Sequence, residues 1–300
     1  MDLIEIKGQI TELMTKLDFP AHARDVLVDA LEQVGKDKVL SELFEQWIEA
    51  YDQSEKMDYR QMITKIRERA VQIGLHTYTV SMLAFLCLGK RLKERYAERG
   101  YSEALYYDTV AVLRQQLDEC WLMYGVVGSF VALWFVGFFD LTLFALGRLQ
   151  FEIVKTEKDY TIGNRLLPAG SKAINMHIPQ TGARLDHASI EDSYRRAAVW
   201  FADEFKDQPM VFTCLSWLLD PWNMTVLPEN SNMAQFYRDF EIVEVEPNDS
   251  YYSLWPLFNC VYNGNPDDLP ANTSLRRAYI ERIRRGEVTG MGRGFFWWES

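Results

Sequence analysis

Residues 173–205, AINMHIPQTGARLDHASIEDSYRRAAVWFADEF, contain the change of hydrophobic period that decides the fold of the second half of the chain. Apolar and polar residues alternate from Ala173 to Ile178, which indicates a strand. Apolar side chains then recur at helical spacing, at Ile190, Tyr194, Ala197, Phe201 and Phe205. Asp186 or Ser189 can cap that helix. The stretch therefore predicts a strand, a turn and a helix.

The same two periods continue on both sides of this stretch. Alternating or wholly apolar runs predict strands, and apolar residues three and four apart predict helices. The other predicted strands are LGRLQFEI (146–153), VFTCLSWLL (211–219), EIVEVE (241–246) and part of GEVTGMGRGFFWW (286–298). The other predicted helices are SNMAQFYRDF (231–240), which Ser231 can cap, and the arginine-rich segment 273–285.

The first 118 residues have a helical pattern almost throughout. The predicted helices are 6–17, 20–34, 37–50, 58–72, 78–98 and 102–118. The sequence therefore predicts an α+β protein. Residues 1–135 are expected to form an all-helical N-terminal domain, and residues 136–300 a mixed β-sheet domain with flanking helices.

The composition excludes several classes of protein. With 48% hydrophobic and 25% charged residues among 300, the chain is a folded globular protein. Its net charge of −11 repels phosphate backbones, so nucleic acid is not an expected partner. The four cysteines lie far apart and the four histidines lack metal-ligand spacing, which predicts reduced thiols and no metal site. The N-terminal MDLIEIKGQI lacks the basic start of a signal peptide, so the expected location is the cytoplasm.

One uncharged segment is long enough to span a bilayer. It is CWLMYGVVGSFVALWFVGFF, residues 120–139. Its three glycines, its serine and its aromatic residues favour a different reading. We expect a buried helix that leads into a loop and a core strand, and no membrane span.

The order of strands and helices over residues 143–246 resembles that of the GNAT (GCN5-related N-acetyltransferase) core. More narrowly, the chain resembles a bacterial two-domain acyltransferase family, in which a helical N-acyltransferase N-terminal domain precedes a GNAT-like C-terminal domain. The motifs that carry the resemblance are LGRLQFE (146–152), INMHIP (174–179), CLSWLLDP (214–221), SNMAQFY (231–237) and LPANTSLRRA (269–278). The resemblance implies an enzyme that moves an acyl group from acyl-CoA, or from a carrier thioester, to an amine or hydroxyl.

In that family, the pyrophosphate of the acyl donor rests on main-chain amides at a helix N-terminus. The matching loop is Gln180–Arg184, and its glycine comes one residue earlier than in the usual pattern. The resemblance implies donor-binding roles for Ile178, Gln180, Thr181, Gly182, Ala183, Arg184 and Asn232. The alternative is an ordinary strand-to-helix turn with Gly182 at positive φ.

Tyr237 matches the tyrosine that often protonates the departing thiolate in the GNAT fold, since a phenol stays protonated at neutral pH. The alternative is a tyrosine packed between helix and sheet. Glu152 and His177 are the candidate bases that take a proton from the nucleophile, directly or through water. For these two residues, the alternative is a salt-bridged network with a structural role.

Polar side chains on single strand faces suggest a substrate cleft. One face of the strand 146–152 carries Arg148, Gln150 and Glu152, and one face of the next predicted strand carries Asn175 and His177. The expected cleft residues are Arg148, Gln150, Asn175, Ser216 and Trp217.

Three further interpretations stay open, and the oligomeric state is not indicated. Cys214 could pair with His177 as a thiol nucleophile. The arginines of 273–285 could receive an anionic group such as the adenosine phosphate of CoA. The C-terminal domain could instead be a non-catalytic GNAT-like module that binds a ligand or a protein, and a closed surface beside Gln180–Arg184 would favour that reading.

Overall fold

A computed structural model describes residues 2–53, 57–248 and 254–299. Its contacts divide the chain into two compact units, Met1–Leu141 and Thr142–Ser300. The first unit is helical and the second contains all eight described strands. The predicted α+β class is confirmed.

The helices of the first unit follow the predicted pattern. They are α1 (Leu3–Lys16), α2 (Ala21–Lys36), α3 (Lys38–Gln53), α4 (Tyr59–Gln72), α5 (Thr77–Leu86), α6 (Gly89–Glu98), α7 (Glu103–Val110), α8 (Val112–Tyr124) and α9 (Val136–Phe139). Two helices that we expected to be continuous, 78–98 and 102–118, are each broken in two. The first break coincides with a change of environment, since Thr79–Leu86 of α5 are all buried, whereas α6 presents a charged face to solvent.

Aromatic side chains form the centre of the first unit. Trp47 on α3 is fully buried, and its Nε1 donates a hydrogen bond to the carbonyl oxygen of Ala84 at 2.8 Å. Its ring meets Phe85 edge-on at 5.2 Å. The indole therefore has both apolar contact and a satisfied donor, as a buried tryptophan requires.

The uncharged segment 120–139 does not form one long helix. It comprises the end of α8, a loop, a 3-10 helix at Ala132–Phe135, and α9. Among the described residues, no helix combines the length and the apolar character that a membrane crossing needs. The expected core strand does not follow within the segment, because β1 begins only at Leu143.

The second unit is built around a six-stranded sheet. Its strands are β1 (Leu143–Leu146), β2 (Leu149–Lys155), β3 (Tyr160–Ile162), β4 (Arg165–Leu167), β5 (Lys172–His177), β6 (Val211–Ser216), β7 (Glu241–Asn248) and β8 (Thr289–Trp297). Its helices are α10 (His187–Trp200), α11 (Asn232–Arg238), α12 (Trp255–Phe258) and α13 (Ser274–Arg284). The order in the sheet is β1-β2-β5-β6-β8-β7, and β3 pairs with β4 in a separate hairpin. Only the β5–β6 pair is parallel among the described strands.

The two faces of the sheet have different covers. On one face Phe212 stacks on Phe296 at 5.0 Å, and Tyr194 of α10 packs against both rings. On the other face, the β3–β4 hairpin covers one end of the sheet through Tyr160 and Ile162. The polar residues of β2 and β5 lie on this second face, beyond the hairpin cluster.

One predicted strand is wrong in detail and one hairpin was not predicted. The strand predicted over 146–153 is two strands, because Gly147 and Arg148 form a turn between β1 and β2. Gly147 adopts a φ of 81°, which a tight hairpin turn favours and which glycine adopts easily. The β3–β4 hairpin, residues 160–167, gave no strand signal in the sequence.

Candidate active site

The parallel strands β5 and β6 separate toward their carboxyl ends. Pairing joins only Ile174 to Phe212 and Asn175 to Thr213. Both strands continue beyond these pairs, and both stay paired on their outer sides with β2 and β8. A gap therefore opens between the two strands next to His177. Main-chain N–H and C=O groups at its edges have no strand partner across it, so they can hydrogen-bond to a ligand.

Glu152, Asn175 and His177 meet at the start of this gap. The Nε2 of His177 lies 2.8 Å from Oε1 of Glu152, and Asn175 Nδ2 donates to the same oxygen at 3.1 Å. The side chains of His177 and Glu152 are 23% and 29% exposed, so a ligand can reach the pair. The polar faces of the two strands are thus adjacent, through the register that sets Glu152 opposite Asn175.

The contact between His177 and Glu152 favours a proton on Nε2 of the ring. Asn175 Nδ2 also lies 3.1 Å from His177 Nε2, but the contact of Nε2 with the Glu152 oxygen is shorter, at 2.8 Å, and two acceptors at that distance would repel each other. The carboxylate accepts only, so Nε2–H donates to it and Nδ1 holds the lone pair. Burial raises the pKa of Glu152, but the hydrogen bond and charge of His177 and the hydrogen bond from Asn175 outweigh burial and lower it overall. The ionised carboxylate therefore orients a histidine base.

Gln150 is a buried carboxamide beside this pair. It lies opposite His177 in the β2–β5 register and is 3% exposed. Its side chain makes no hydrogen bond with any residue in the part of the chain that the structure describes. Its carboxamide oxygen and nitrogen are not among the fully buried polar atoms that lack a partner, so they remain accessible and a bound group can hydrogen-bond to them.

Tyr237 and Asn232 lie on α11, which Ser231 caps through a 3.2 Å hydrogen bond to the amide of Ala234. Tyr237 is partly exposed, and its hydroxyl makes no hydrogen bond with another described residue. Burial, followed by the charge of Asp220, raises the pKa of Tyr237. The phenol is therefore protonated at neutral pH. Asn232 is the first residue of the helix and is partly buried.

The loop from Ile178 to Asp186 joins β5 to α10, and its central residues 181–184 are exposed. Gly182 adopts a φ of 74°, so a turn at positive φ is present as expected. Within the loop, the amide of Thr181 donates to Pro179 O at 3.1 Å. The amides of Gly182 and Arg184, and the Arg184 guanidinium, have no partner among the described residues.

The N-terminus of α10 carries a negative charge from its N-cap residue. The N-cap is Asp186, whose Oδ1 accepts from the amide of Ser189 at 3.0 Å. This carboxylate occupies the place in which a helix N-terminus would otherwise favour a bound anion. The sequence indicates this charge, because Asp186 directly precedes the predicted helix and aspartate is among the preferred N-cap residues.

Arg148 does not share a strand face with Gln150 and Glu152, so that expectation is wrong. It lies in the β1–β2 turn, and its guanidinium donates to Pro179 O at 2.9 Å and to Ala183 O at 3.3 Å. It therefore contacts the loop that precedes α10. The apparent alternation of 146–153 concealed the turn that redirects this side chain.

The two remaining cleft candidates follow β6. The hydroxyl of Ser216 accepts a hydrogen bond from the amide of Leu218 at 3.2 Å and so caps the 3-10 helix Trp217–Leu219. Trp217 is partly buried and packs against the apolar cluster around Tyr279 of α13. Both side chains have a structural role here, beside the carboxyl end of β6.

The thiol interpretation of Cys214 is wrong. In the register of β5, β6 and β8, Thr213 shares a face with Asn175, so Cys214 lies on the opposite face from His177. Cys214 is buried, and burial raises its pKa to about 12. A thiol in this state is not the reactive thiolate that nucleophilic catalysis needs.

The arginines of α13 are all engaged. Arg282 pairs with Asp220 at 2.6 Å, and Arg284 pairs with Asp267 at 2.5 Å. The other two, Arg276 and Arg277, bind Leu257, Asn272 and Ala271, and Arg285 just beyond the helix binds Glu287. This favours the solvated or paired face over a phosphate site. Within residues 2–53, 57–248 and 254–299, no group of three or more His, Cys, Asp or Glu side chains is placed to hold a metal ion.

Comparison with known protein families gives two matches along the chain. A model of the GNAT-like C-terminal domain matches residues 143–296, which is more than half of the chain. A model of the N-acyltransferase N-terminal domain matches residues 8–141. No curated protein matches.

Solved structures of acyltransferases have the same fold. One in complex with CoA and 10C-teicoplanin is 25% identical with a TM-score of 0.77, over 96% of this chain and 87% of that chain. Another, with decanoyl-CoA and teicoplanin, is 24% identical with a TM-score of 0.75, over 97% and 88%. A mutant acyltransferase with octanoyl-CoA is 23% identical with a TM-score of 0.77, over 97% and 88%.

Proposed function

Because the chain belongs to the family in which an N-acyltransferase N-terminal domain precedes a GNAT-like C-terminal domain, we propose that it transfers an acyl group from acyl-CoA to a primary amine. One observation carries the proposal: the gap between β5 and β6 opens beside the His177–Glu152 pair. The acyl-CoA complexes of similar acyltransferases support CoA thioesters as donors. The protein therefore acts on small molecules.

The donor would lie along the gap, with its pyrophosphate at the loop before α10. An extended pantetheine arm can hydrogen-bond to strand edges that lack a partner. The free amides of Gly182 and Arg184, together with the Arg184 guanidinium, supply donors to phosphate oxygens. Ile178 joins the gap to this loop, and Gln180 anchors the loop by donating to Pro256 O at 2.5 Å.

The chemistry is direct attack on the thioester. The amine nitrogen forms a bond to the thioester carbonyl carbon while His177 Nδ1 takes an amine proton, and the carbonyl electrons move to its oxygen. The resulting tetrahedral intermediate collapses, the C–S bond breaks, and the amide product forms. Tyr237 gives its phenolic proton to the leaving thiolate, which is the natural role of an acid whose pKa exceeds that of a thiol. Both residues then regain their starting protonation states by exchange with water.

Gln150 indicates why an amine suits this site. A primary amine keeps a second N–H after one proton goes to His177, and the Gln150 carbonyl can accept it. A hydroxyl acceptor keeps no proton once it has given one to His177, so it could only accept from the Gln150 amide N–H, and the Gln150 carbonyl would receive no hydrogen bond from it. The Gln150 carbonyl thus favours amine over hydroxyl acceptors.

Gln150→Leu is expected to raise the KM for an amine acceptor about fivefold to tenfold, the value of one lost hydrogen bond. The KM for the donor should change little, because Gln150 contacts the acceptor in this proposal. Steady-state release of CoA thiol from decanoyl-CoA, with a panel of primary amines, measures both constants. The exposed Gln46→Leu of the first unit serves as control. Equal acceptor KM values in the two variants would refute this role.

Arg184→Ala is expected to weaken CoA binding about tenfold, because a phosphate loses a charge-assisted hydrogen bond. Lys206→Ala, beyond the C-terminal end of α10, removes an exposed cation of the same domain and serves as control. Calorimetric titration with CoA and decanoyl-CoA measures the affinities. Thermal unfolding gives a second readout, since a ligand at a hundredfold excess over its Kd stabilises the native state by about 2.7 kcal/mol.

The same titration decides the main alternative. If neither CoA nor decanoyl-CoA binds the wild-type protein, the acyl-CoA proposal fails. The GNAT-like domain would then be a binding module for another ligand. The exposed loop 181–184 favours the enzyme over the binding module. An enzyme that binds CoA needs an open surface with unpaired amides at this loop, and the loop has both.

A further inference from the structure

Arg148 ties three elements of the second unit together. Its guanidinium binds carbonyl oxygens at both ends of the loop segment Pro179–Ala183, at 2.9 and 3.3 Å. Its own amide donates to the hydroxyl of Ser193 on α10 at 2.8 Å. The side chain is half-buried, and its Nε is buried without an acceptor. Burying a guanidinium is costly unless it is hydrogen-bonded, and here its partners are the two loop carbonyls, so Arg148 links the β1–β2 turn to the loop.

The same arginine acts on the charge at the α10 N-terminus. Asp186 accepts hydrogen bonds from the amide and the hydroxyl of Ser189, both at 3.0 Å, and these bonds chiefly lower its pKa. The charge of Arg148 adds to that lowering. Asp186 is therefore ionised at neutral pH and repels any phosphate bound at the neighbouring loop. Arg148 is a cation that faces Asp186 and offsets part of this repulsion.

We propose that Arg148 is the positioning residue of the donor loop: it holds Pro179 and Ala183 in place and offsets the charge of Asp186, so that the loop can accept the CoA pyrophosphate. This rests on the proposed function. Arg148 donates to main-chain carbonyls of the loop, and the phosphates would contact the amides of Gly182 and Arg184. Its two effects, geometric and electrostatic, can be separated by substitution.

The experiment compares Arg148→Met, Arg148→Lys, Asp186→Asn and the Arg148→Met/Asp186→Asn double variant. Asparagine is also a good N-cap, so Asp186→Asn removes the charge and keeps the helix start. The probes are CoA, by calorimetry, and two decanoyl thioesters, one of CoA and one of N-acetylcysteamine, which has no phosphate. Thermal unfolding of each variant reports loss of structure separately.

Arg148→Met is expected to weaken CoA binding tenfold or more, since each factor of ten corresponds to about 1.4 kcal/mol. Its kcat/KM should fall about tenfold more with decanoyl-CoA than with the phosphate-free thioester. Arg148→Lys should recover only part of the affinity, because an ammonium keeps the charge but lacks the planar fork of donors. Asp186→Asn should restore CoA affinity severalfold when Arg148 is methionine.

Two results would overturn the inference while leaving the proposed function intact. One is wild-type CoA affinity in Arg148→Met. The other is an equal loss with both thioesters and no rescue by Asp186→Asn, which would give Arg148 a general structural role. If the wild-type protein itself binds no CoA, the proposed function fails first and the inference falls with it.

Discussion

Replacing His177 by glutamine is expected to lower kcat for acyl transfer by about 10²–10⁴-fold, the usual contribution of a positioned general base. Glutamine has no group that can take a proton at neutral pH. CoA binding should stay near the wild-type value, because the imidazole contacts Glu152 and the acceptor in the proposed mechanism. The measurement is CoA release from decanoyl-CoA with the best amine of the panel, together with calorimetry for CoA.

Glu152→Gln tests the orientation of that base. A glutamine amide can donate to Nε2, which would move the ring proton to Nδ1 and remove the lone pair from the reacting nitrogen. The expected loss of kcat is close to that of His177→Gln, and the double variant should be little worse than either single one, because the two residues act as a unit. The outcome that contradicts the mechanism is kcat within a few-fold of wild type in His177→Gln. His22→Gln, an exposed histidine of the first unit, is the matched control.

The Glu152–His177 pair also makes the stability of the folded protein depend on pH. The pKa of Glu152 is lowered in the folded protein by His177 and Asn175 against the effect of burial. Its contribution to stability is therefore fully present above the ordinary carboxyl pKa and is lost as the pH falls through the lowered value. Glu152→Gln should lose this acid dependence, which urea unfolding at several acidic pH values can detect.

Local patterns in the sequence predicted most elements of the second unit. Ser231 caps α11 as expected, and Asp186, one of two candidates, caps α10. These features depend on neighbours within one turn, so a single segment contains the needed information. The turn at Gly147 and Arg148 was not predicted, because two turn residues preserve the alternation of the strands on either side. The β3–β4 hairpin was not predicted either, because its strands have only three residues each and are partly exposed.

The candidate site depends on contacts between residues that lie far apart in the sequence. Glu152 and His177 are 25 residues apart, and only the antiparallel register of β2 with β5 brings them within 2.8 Å. The resemblance to a family supplied that topology, whereas periodicity did not. Arg148 is the clearest example of a residue whose contacts could not be predicted from the sequence. Its residue type suggested a polar cleft, but the turn directs it to the carbonyl oxygens of Pro179 and Ala183.

Replacing Asp220 by alanine is expected to destabilise the second unit by about 3–5 kcal/mol, the cost of removing one partner of a buried ion pair. Asp220 and Arg282 are 3% and 7% exposed, and they are joined at 2.6 Å. Asp220 also accepts from the amides of Gly290 at 2.8 Å and Trp222 at 3.1 Å. Alanine would thus leave a buried guanidinium and two main-chain donors without their acceptor.

Arg282→Met should destabilise by a similar amount, because it leaves Asp220 charged and buried. The matched control is Arg284→Met on the same helix. Arg284 is 45% exposed and pairs with Asp267 and Glu281 at the surface, so its loss should cost less than about 1 kcal/mol. Urea unfolding followed by circular dichroism gives the free energies of unfolding.

The double variant Asp220→Leu/Arg282→Met decides whether the pair stabilises the fold or only avoids a penalty. An apolar pair leaves no buried charge but still leaves the amides of Gly290 and Trp222 without their acceptor, so we expect it to recover part of the stability that Asp220→Leu or Arg282→Met alone loses. Tyr237 provides the functional readout, because the charge of Asp220 contributes to its raised pKa. Removing that charge should lower the pKa of the phenol. If the double variant is no more stable than the single ones, the lost hydrogen bonds from Gly290 and Trp222 to Asp220, and not the charge pair, account for the loss of stability.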